Sequence, residues 1–188
     1  MSIASYTLER FIGDLRRIVA TAAADEASLL AQVAPLARRV VAERGWLRAD
    51  MYSADPQLGF GTSLLHVEAD QSLFVVVDSW LPGRGVPPHD HDTWAVVVGV
   101  DGSERNIFWQ RLDDATRPGY AELRRMDEQC IAPGQVLAMP SGSIHSVVNE
   151  TPHTSLSFHV YGRHLNHTAR RQFDPAQNLE LPFIIDAR

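Results

Sequence analysis

The sequence predicts a mainly β protein, an antiparallel barrel or sandwich preceded by a helical segment. Three observations carry that expectation. Apolar residues recur at sustained helical spacing only within residues 1–48. From about Gly61 the chain turns into short runs of β-branched and aromatic residues cut by glycine, proline and aspartate, the texture of many short strands. And 188 residues, 45% apolar and 21% charged, suffice for one well-filled core but not for two comfortable domains.

Taken in order, Leu8, Phe11, Ile12, Leu15, Ile18 and Val19 form the apolar face of a first helix, with Ser5 as its expected N-cap. A second helical stretch runs from Asp25 to about Glu43, and Pro35 is expected to kink or divide it, because proline cannot donate the helical hydrogen bond. The expected strands are Ser63–Glu68, Leu73–Trp80, Thr93–Val100, Arg105–Arg111, Gln135–Met139, Ile144–Asn149 and Thr154–Tyr161. Residues 1–48 thus form helices, 59–162 a β-barrel, and 163–188 a tail without strong period that wraps the barrel, all within a single domain 1–188.

Composition excludes several function classes. A net charge of −6 argues against a nucleic-acid groove, which needs a clustered basic face. No apolar run is long enough to span a bilayer, and Met1 to Arg10 does not read as a secretory signal. Cys130 is the sole cysteine, so no intrachain disulfide can form, and a small buried side chain is expected there. A cytoplasmic monomer or homodimer acting on a small molecule is the resulting expectation.

The chemistry-bearing residues lie on the strands. In Pro88-His89-Asp90-His91-Asp92, residues two apart on a strand share a face, so His89 and His91 present both imidazoles to one point while Asp90 and Asp92 turn away as turn or surface groups. About fifty residues on, His145 stands in Gly134–Asn149. These two stretches resemble the paired signature motifs of the cupin superfamily. The first motif reads Gly83, His89, His91, then Ala95 where a glutamate is usual, then Gly102; the second reads Gly134, Pro140, Gly142, His145 and Asn149. The resemblance implies a cupin double-stranded β-helix, or jelly-roll barrel, with His89, His91 and His145 on one divalent metal. Ala95 leaves that site neutral, so it keeps the full charge of the metal and has open positions for a thiolate, water or oxygen. Iron, as Fe(II), is the metal implied, with nickel or zinc able to occupy the same nitrogen site in a recombinant sample.

On the last expected strand Ser157, His159 and Tyr161 alternate and share one face, while Leu156, Phe158 and Val160 take the other. Polar residues on that side suit a cavity wall, where a hydrogen-bonded row holds the Tyr161 hydroxyl near the metal. The plain alternative is that Ser157 and His159 merely satisfy each other. With the histidines, this row resembles the thiol dioxygenases, namely cysteine dioxygenase and 3-mercaptopropionate dioxygenase. The resemblance extends from roughly Trp80 to Phe173, and it implies Fe(II), O2 and a small thiol oxidised to its sulfinic acid. Tyr161 would then position substrate and oxygen, oriented by His159 and Ser157.

Two departures from that family stand out. Ala95 and the remote Cys130 predict no cysteine–tyrosine crosslink. The arginine or glutamine that holds the substrate carboxylate is missing from Phe60-Gly61-Thr62-Ser63, leaving His66, Arg105, Arg163, Arg170 and Arg171 as substitutes. Other readings are an iron dioxygenase acting on a non-thiol such as a β-diketone, and a non-catalytic metal-cupin that binds or senses. Glu104 reads as a strand-edge carboxylate or a support for the ligands, Trp80 and Trp94 as buried rings, and His153, His164 and His167 as solvated surface.

Overall fold

The computed structural model describes residues 5–22 and 25–185; the parts of the expected N-terminal segment and tail at 1–4, 23–24 and 186–188 lie outside the described residues. Two helices, α1 (Leu8–Ala22) and α2 (Glu26–Glu43), precede eleven strands. These are β1 (Phe60–Val67), β2 (Ser72–Trp80), β3 (Gly85–His89), β4 (Ala95–Asp101), β5 (Glu104–Arg111), β6 (Leu123–Ile131), β7 (Val136–Met139), β8 (Ile144–Val148), β9 (Ser155–Arg163), β10 (Arg171–Asp174) and β11 (Leu179–Pro182). They pair antiparallel into one sheet of order β1-β2-β9-β4-β7 and a second of order β11-β10-β3-β8-β5-β6. The fold is a double-stranded β-helix. No helix among the described residues is long and apolar enough to cross a membrane.

The helices explain the inverted alternation of β9. Leu156, Phe158 and Val160 join Val75, Val77, Val96 and Val98 on the outer face of the five-stranded sheet, where Phe11, Leu15, Val33 and Val40 of the helices cover them. Phe158 packs edge-on against Phe11 at 5.8 Å between ring centroids and tilted against Trp46 at 5.1 Å. With apolar side chains thus used outside, the other face of β9 is free to carry polar groups inward. There Phe74, Val76, Ala95, Val97, Leu137 and Met139 surround Tyr161 in the barrel interior.

Several local expectations differ from the structure. α1 is capped by Thr7, whose hydroxyl accepts from the Arg10 amide, while Ser5 donates to Glu43 at the end of α2. α2 is one undivided helix through Pro35; Ala31, whose carbonyl loses its i+4 donor, lies on the exposed face, where water can replace the lost bond. Cys130 is exposed, because β6 is an edge strand whose residues from Arg124 to Cys130 all face solvent. The tail does more than wrap: β10 pairs with β11 and, at Gln172, with His89 of β3.

Candidate metal centre

The register of the six-stranded sheet brings the histidines together. His89, at the end of β3, lies directly across from His145 on β8, and His91 follows just past the strand end. The three rings sit 4.6–5.0 Å apart by centroid, and one nitrogen of each lies within 4.8 Å of the others. All three are buried, at 2–5% exposure.

Two of the rings are fixed by their Nδ1 atoms. His89 Nδ1 bonds the Pro87 carbonyl at 2.9 Å, and His145 Nδ1 bonds Asn106 Oδ1 at 2.9 Å. An imidazole whose Nδ1–H donates has a bare Nε2 to offer, which is how ligating histidines are held. The Nε2 atoms of His145 and His91 stand 3.4 Å apart, close to the separation of about 3.4 Å that two bonds of roughly 2.1 Å at a tetrahedral angle give. Burial holds all three below the ordinary histidine pKa, His89 at about 4 and His91 and His145 well below the usual value. Bare, neutral, convergent nitrogens fit a divalent metal.

Ala95, where the sequence reading noted the absence of a glutamate, is fully buried and pairs with Tyr161 across β4 and β9. Among the described residues, no carboxylate joins the three-histidine cluster. Cys130 belongs to the far edge of the other sheet, so the side chain opposite Tyr161 offers nothing to crosslink.

Tyr161 faces the same pocket, its ring 5.0 Å from that of His91. Its hydroxyl bonds His159 Nδ1 at 2.9 Å, and His159 Nε2 bonds Ser157 Oγ at 2.7 Å. Ser157 also accepts from the Trp80 indole at 3.3 Å and donates to Glu104 at 2.9 Å. Burial, reinforced by the negative charge of Asp78, holds Tyr161 well above the ordinary tyrosine pKa, so it stays a phenol.

Of the five cations considered for an anionic substrate, one enters the pocket. His66 bonds Glu68, Arg105 pairs with Glu128 and Glu150, Arg163 donates to the His167 carbonyl, and Arg171 pairs with Glu180. Arg170 lines the pocket beside His89, His91 and Tyr161. It is 5% exposed, its Nε lacks a hydrogen bond, and its guanidinium stacks 4.5 Å over the Phe183 ring. Among the described residues it forms no ion pair.

Asp90 and Asp92 put it there, a role the sequence reading missed. The Asp90 carboxylate accepts from the Arg171 amide at 2.7 Å, and the Asp90 amide donates to the Arg171 carbonyl at 3.0 Å. Asp92 accepts from the Ala169 amide at 2.9 Å. The alternation that points His89 and His91 inward therefore points two carboxylates outward, and these clamp the tail on both sides of Arg170. The only sequence signal was that alternation itself. Trp80 donates to Ser157 in addition to filling space, and His164, expected at the solvated surface, also lines the pocket, its ring tilted against Phe74 at 4.3 Å, whereas His153 and His167 are exposed as expected.

No protein-family model matches the chain. Among solved structures, oxalate oxidase in complex with the substrate analogue glycolate aligns at 15% identity and a TM-score of 0.46, over 62% of this chain and 59% of its own. A double-stranded β-helix protein from Klebsiella pneumoniae subsp. pneumoniae aligns at 13% and 0.47, over 68% of this chain and 96% of its own. A cupin superfamily protein from Desulfitobacterium hafniense aligns at 12% and 0.43, over 66% and 88%. These are likenesses of fold, and at such scores they carry no argument about chemistry.

Proposed function

We propose that this protein is an Fe(II)-dependent dioxygenase that oxidises a small thiol carboxylate, of the cysteine or 3-mercaptopropionate type, to its sulfinic acid. The observation that carries the reading is a neutral three-histidine cluster sharing one buried pocket with the Tyr161 hydroxyl and the unpaired Arg170 guanidinium. Held by His89, His91 and His145, iron would supply open positions and one-electron chemistry for dioxygen and a thiolate sulfur.

The chain's own residues define the rest. A buried cation without a counter-ion is costly, and a carboxylate that meets it removes that cost through charge-assisted, bidentate bonds. Arg170 therefore selects anionic ligands and anchors the end of the substrate away from sulfur. Tyr161, kept as a phenol, borders the reacting end and exchanges hydrogen bonds with it. Phe183 and His164, from the tail, and Phe74 add ring surface to the pocket lining.

The test is oxygen uptake by protein reconstituted anaerobically with Fe(II), offered cysteine, 3-mercaptopropionate, cysteamine and a β-diketone, with His145→Ala as control. Uptake matched by sulfinate, strongest for a carboxylate-bearing thiol and absent in the control, is expected. Uptake with the diketone alone would transfer the site to carbon–carbon cleavage, and stable binding without uptake would make it a sensor.

A further inference from the structure

Glu104 is a carboxylate in the wrong surroundings. It opens β5, is 2% exposed, and forms no ion pair among the described residues; one oxygen, Oε1, has no hydrogen bond there. The other, Oε2, accepts from Ser157 at 2.9 Å. Burial pushes its pKa up, against the pull of the Ser157 hydroxyl bonded to it.

The row that begins at Glu104 has a direction, and counting protons fixes it. Ser157 owns one hydroxyl proton and meets three partners: the Trp80 indole N–H, which can only donate, Glu104 Oε2, and His159 Nε2. Glu104 Oε2 accepts the Ser157 hydroxyl, the bond an ionised carboxylate makes, so that proton goes to Glu104. The oxygen then accepts from Trp80 and from His159, which must carry its proton on Nε2. Asp78 Oδ2, 3.5 Å from the same nitrogen, favours that placement too. His159 Nδ1 is left bare and accepts the Tyr161 hydroxyl. Every proton in the row points away from the pocket and toward Glu104.

We infer that Glu104 is the proton acceptor of this site, receiving through Tyr161, His159 and Ser157 the proton that a thiol gives up on binding. This rests on the thiol reading for the identity of the donor, although the orientation of the row does not. The step balances. The S–H bond breaks and an O–H bond forms on Tyr161; the former Tyr161 proton passes to His159 Nδ1, the Nε2 proton to Ser157, and the Ser157 proton to Glu104 Oε2. The products are a thiolate and a neutral Glu104, with the three relay groups in their original charge states and every bond of the row reversed. No oxidant or further reactant is needed. Glu104 acts through other residues and touches no substrate, so it is a positioning residue with a store for one proton.

Two measurements test it. Nitrogen NMR of histidine-labelled, metal-free protein reads the His159 tautomer with no ligand present. The Nε2-protonated form is expected to dominate in the wild type and to give way to the Nδ1-protonated form in Glu104→Leu, where Ser157 is free to donate to Nε2. Glu104→Met, which keeps much of the volume and removes the oxygen acceptor, serves if the leucine variant does not fold. A dominant Nδ1-protonated form in the wild type, or the same tautomer in wild type and folded variant, overturns the inference. Infrared difference spectra of the Fe(II) protein on anaerobic addition of 3-mercaptopropionate then report the proton's destination. A new protonated-carboxyl band that disappears in Glu104→Gln is expected, and its persistence in that variant overturns the assignment. If no thiol binds, the dioxygenase reading fails while the tautomer experiment still decides the direction of the row.

Discussion

Replacing Arg170 with methionine separates the recognition of substrate from the stability of the fold. The arginine is 5% exposed, is stacked on Phe183 and forms no ion pair among the described residues, so in the free protein it is a desolvated charge. Removing such a charge in favour of an apolar chain of similar length is worth about 1–2 kcal/mol after the lost cation–π contact is subtracted. For a chain of this size that raises the melting temperature by roughly 2–8 °C. Binding moves the other way. Losing a buried, bidentate anchor costs about 2–4 kcal/mol, which is roughly thirty- to several-hundred-fold in kcat/KM for 3-mercaptopropionate. Cysteamine, which has a thiol and no carboxylate, has nothing to lose at Arg170 and should change by less than about threefold. The assay is oxygen uptake with both thiols beside a thermal melt of the metal-free protein. Equal losses for the two thiols would refute the reasoning, since the arginine would then serve the site as a whole and not the carboxylate.

Other outcomes follow from the same geometry. His145→Ala should abolish stoichiometric metal binding, measured by elemental analysis after dialysis, while leaving the far-ultraviolet dichroism of the barrel intact. Asn106→Ala removes the acceptor that orients His145 and should weaken metal affinity about 10- to 100-fold in a competition titration. The metal-free protein should lose stability as pH falls from about 6.5 toward 4. Burial holds the folded pKa of His89 at about 4, below its unfolded value, so over that window the unfolded chain takes up the proton first. The loss from this residue alone is about 3 kcal/mol, readable as a lower urea midpoint at pH 5 than at pH 7. Gly162→Ala should destabilise by about 1–3 kcal/mol and depress turnover, because a Cβ there would stand 2.3 Å from the Trp94 indole nitrogen and push the residue next to Tyr161 off its strand; denaturant melts and oxygen uptake check it.

Much of this site could be read before the fold was seen, for physical reasons. A two-residue repeat puts His89 and His91, and again Ser157, His159 and Tyr161, on common faces whatever the tertiary context, and those five side chains border one buried pocket or its inner wall. Elements whose stability comes from elsewhere were harder to see. β3 contains Pro87 and Pro88, which usually argue against a strand; β6 has polar residues on both faces and no alternation to detect; β10 and β11 are four residues each. Arg170 could not be chosen from among five cations, because the choice depends on Asp90 and Asp92 gripping a segment some eighty positions away. Glu104 was visible as a carboxylate but not as the end of a row, since only the pairing of β9 within the barrel brings Ser157 to it.

The clamp formed by Asp90 and Asp92 also has an evolutionary side. On the proposed reading, oxidising power and substrate choice would reside in different lengths of polypeptide: the histidines and the tyrosine row belong to the barrel, while the guanidinium arrives on a strap tied on by backbone amides. Amide hydrogens are supplied by almost any residue, so the strap's side chains can be exchanged without loosening the tie. A library varied at position 170 and its neighbours, with the barrel held constant, would draw new specificities from an unchanged reaction centre.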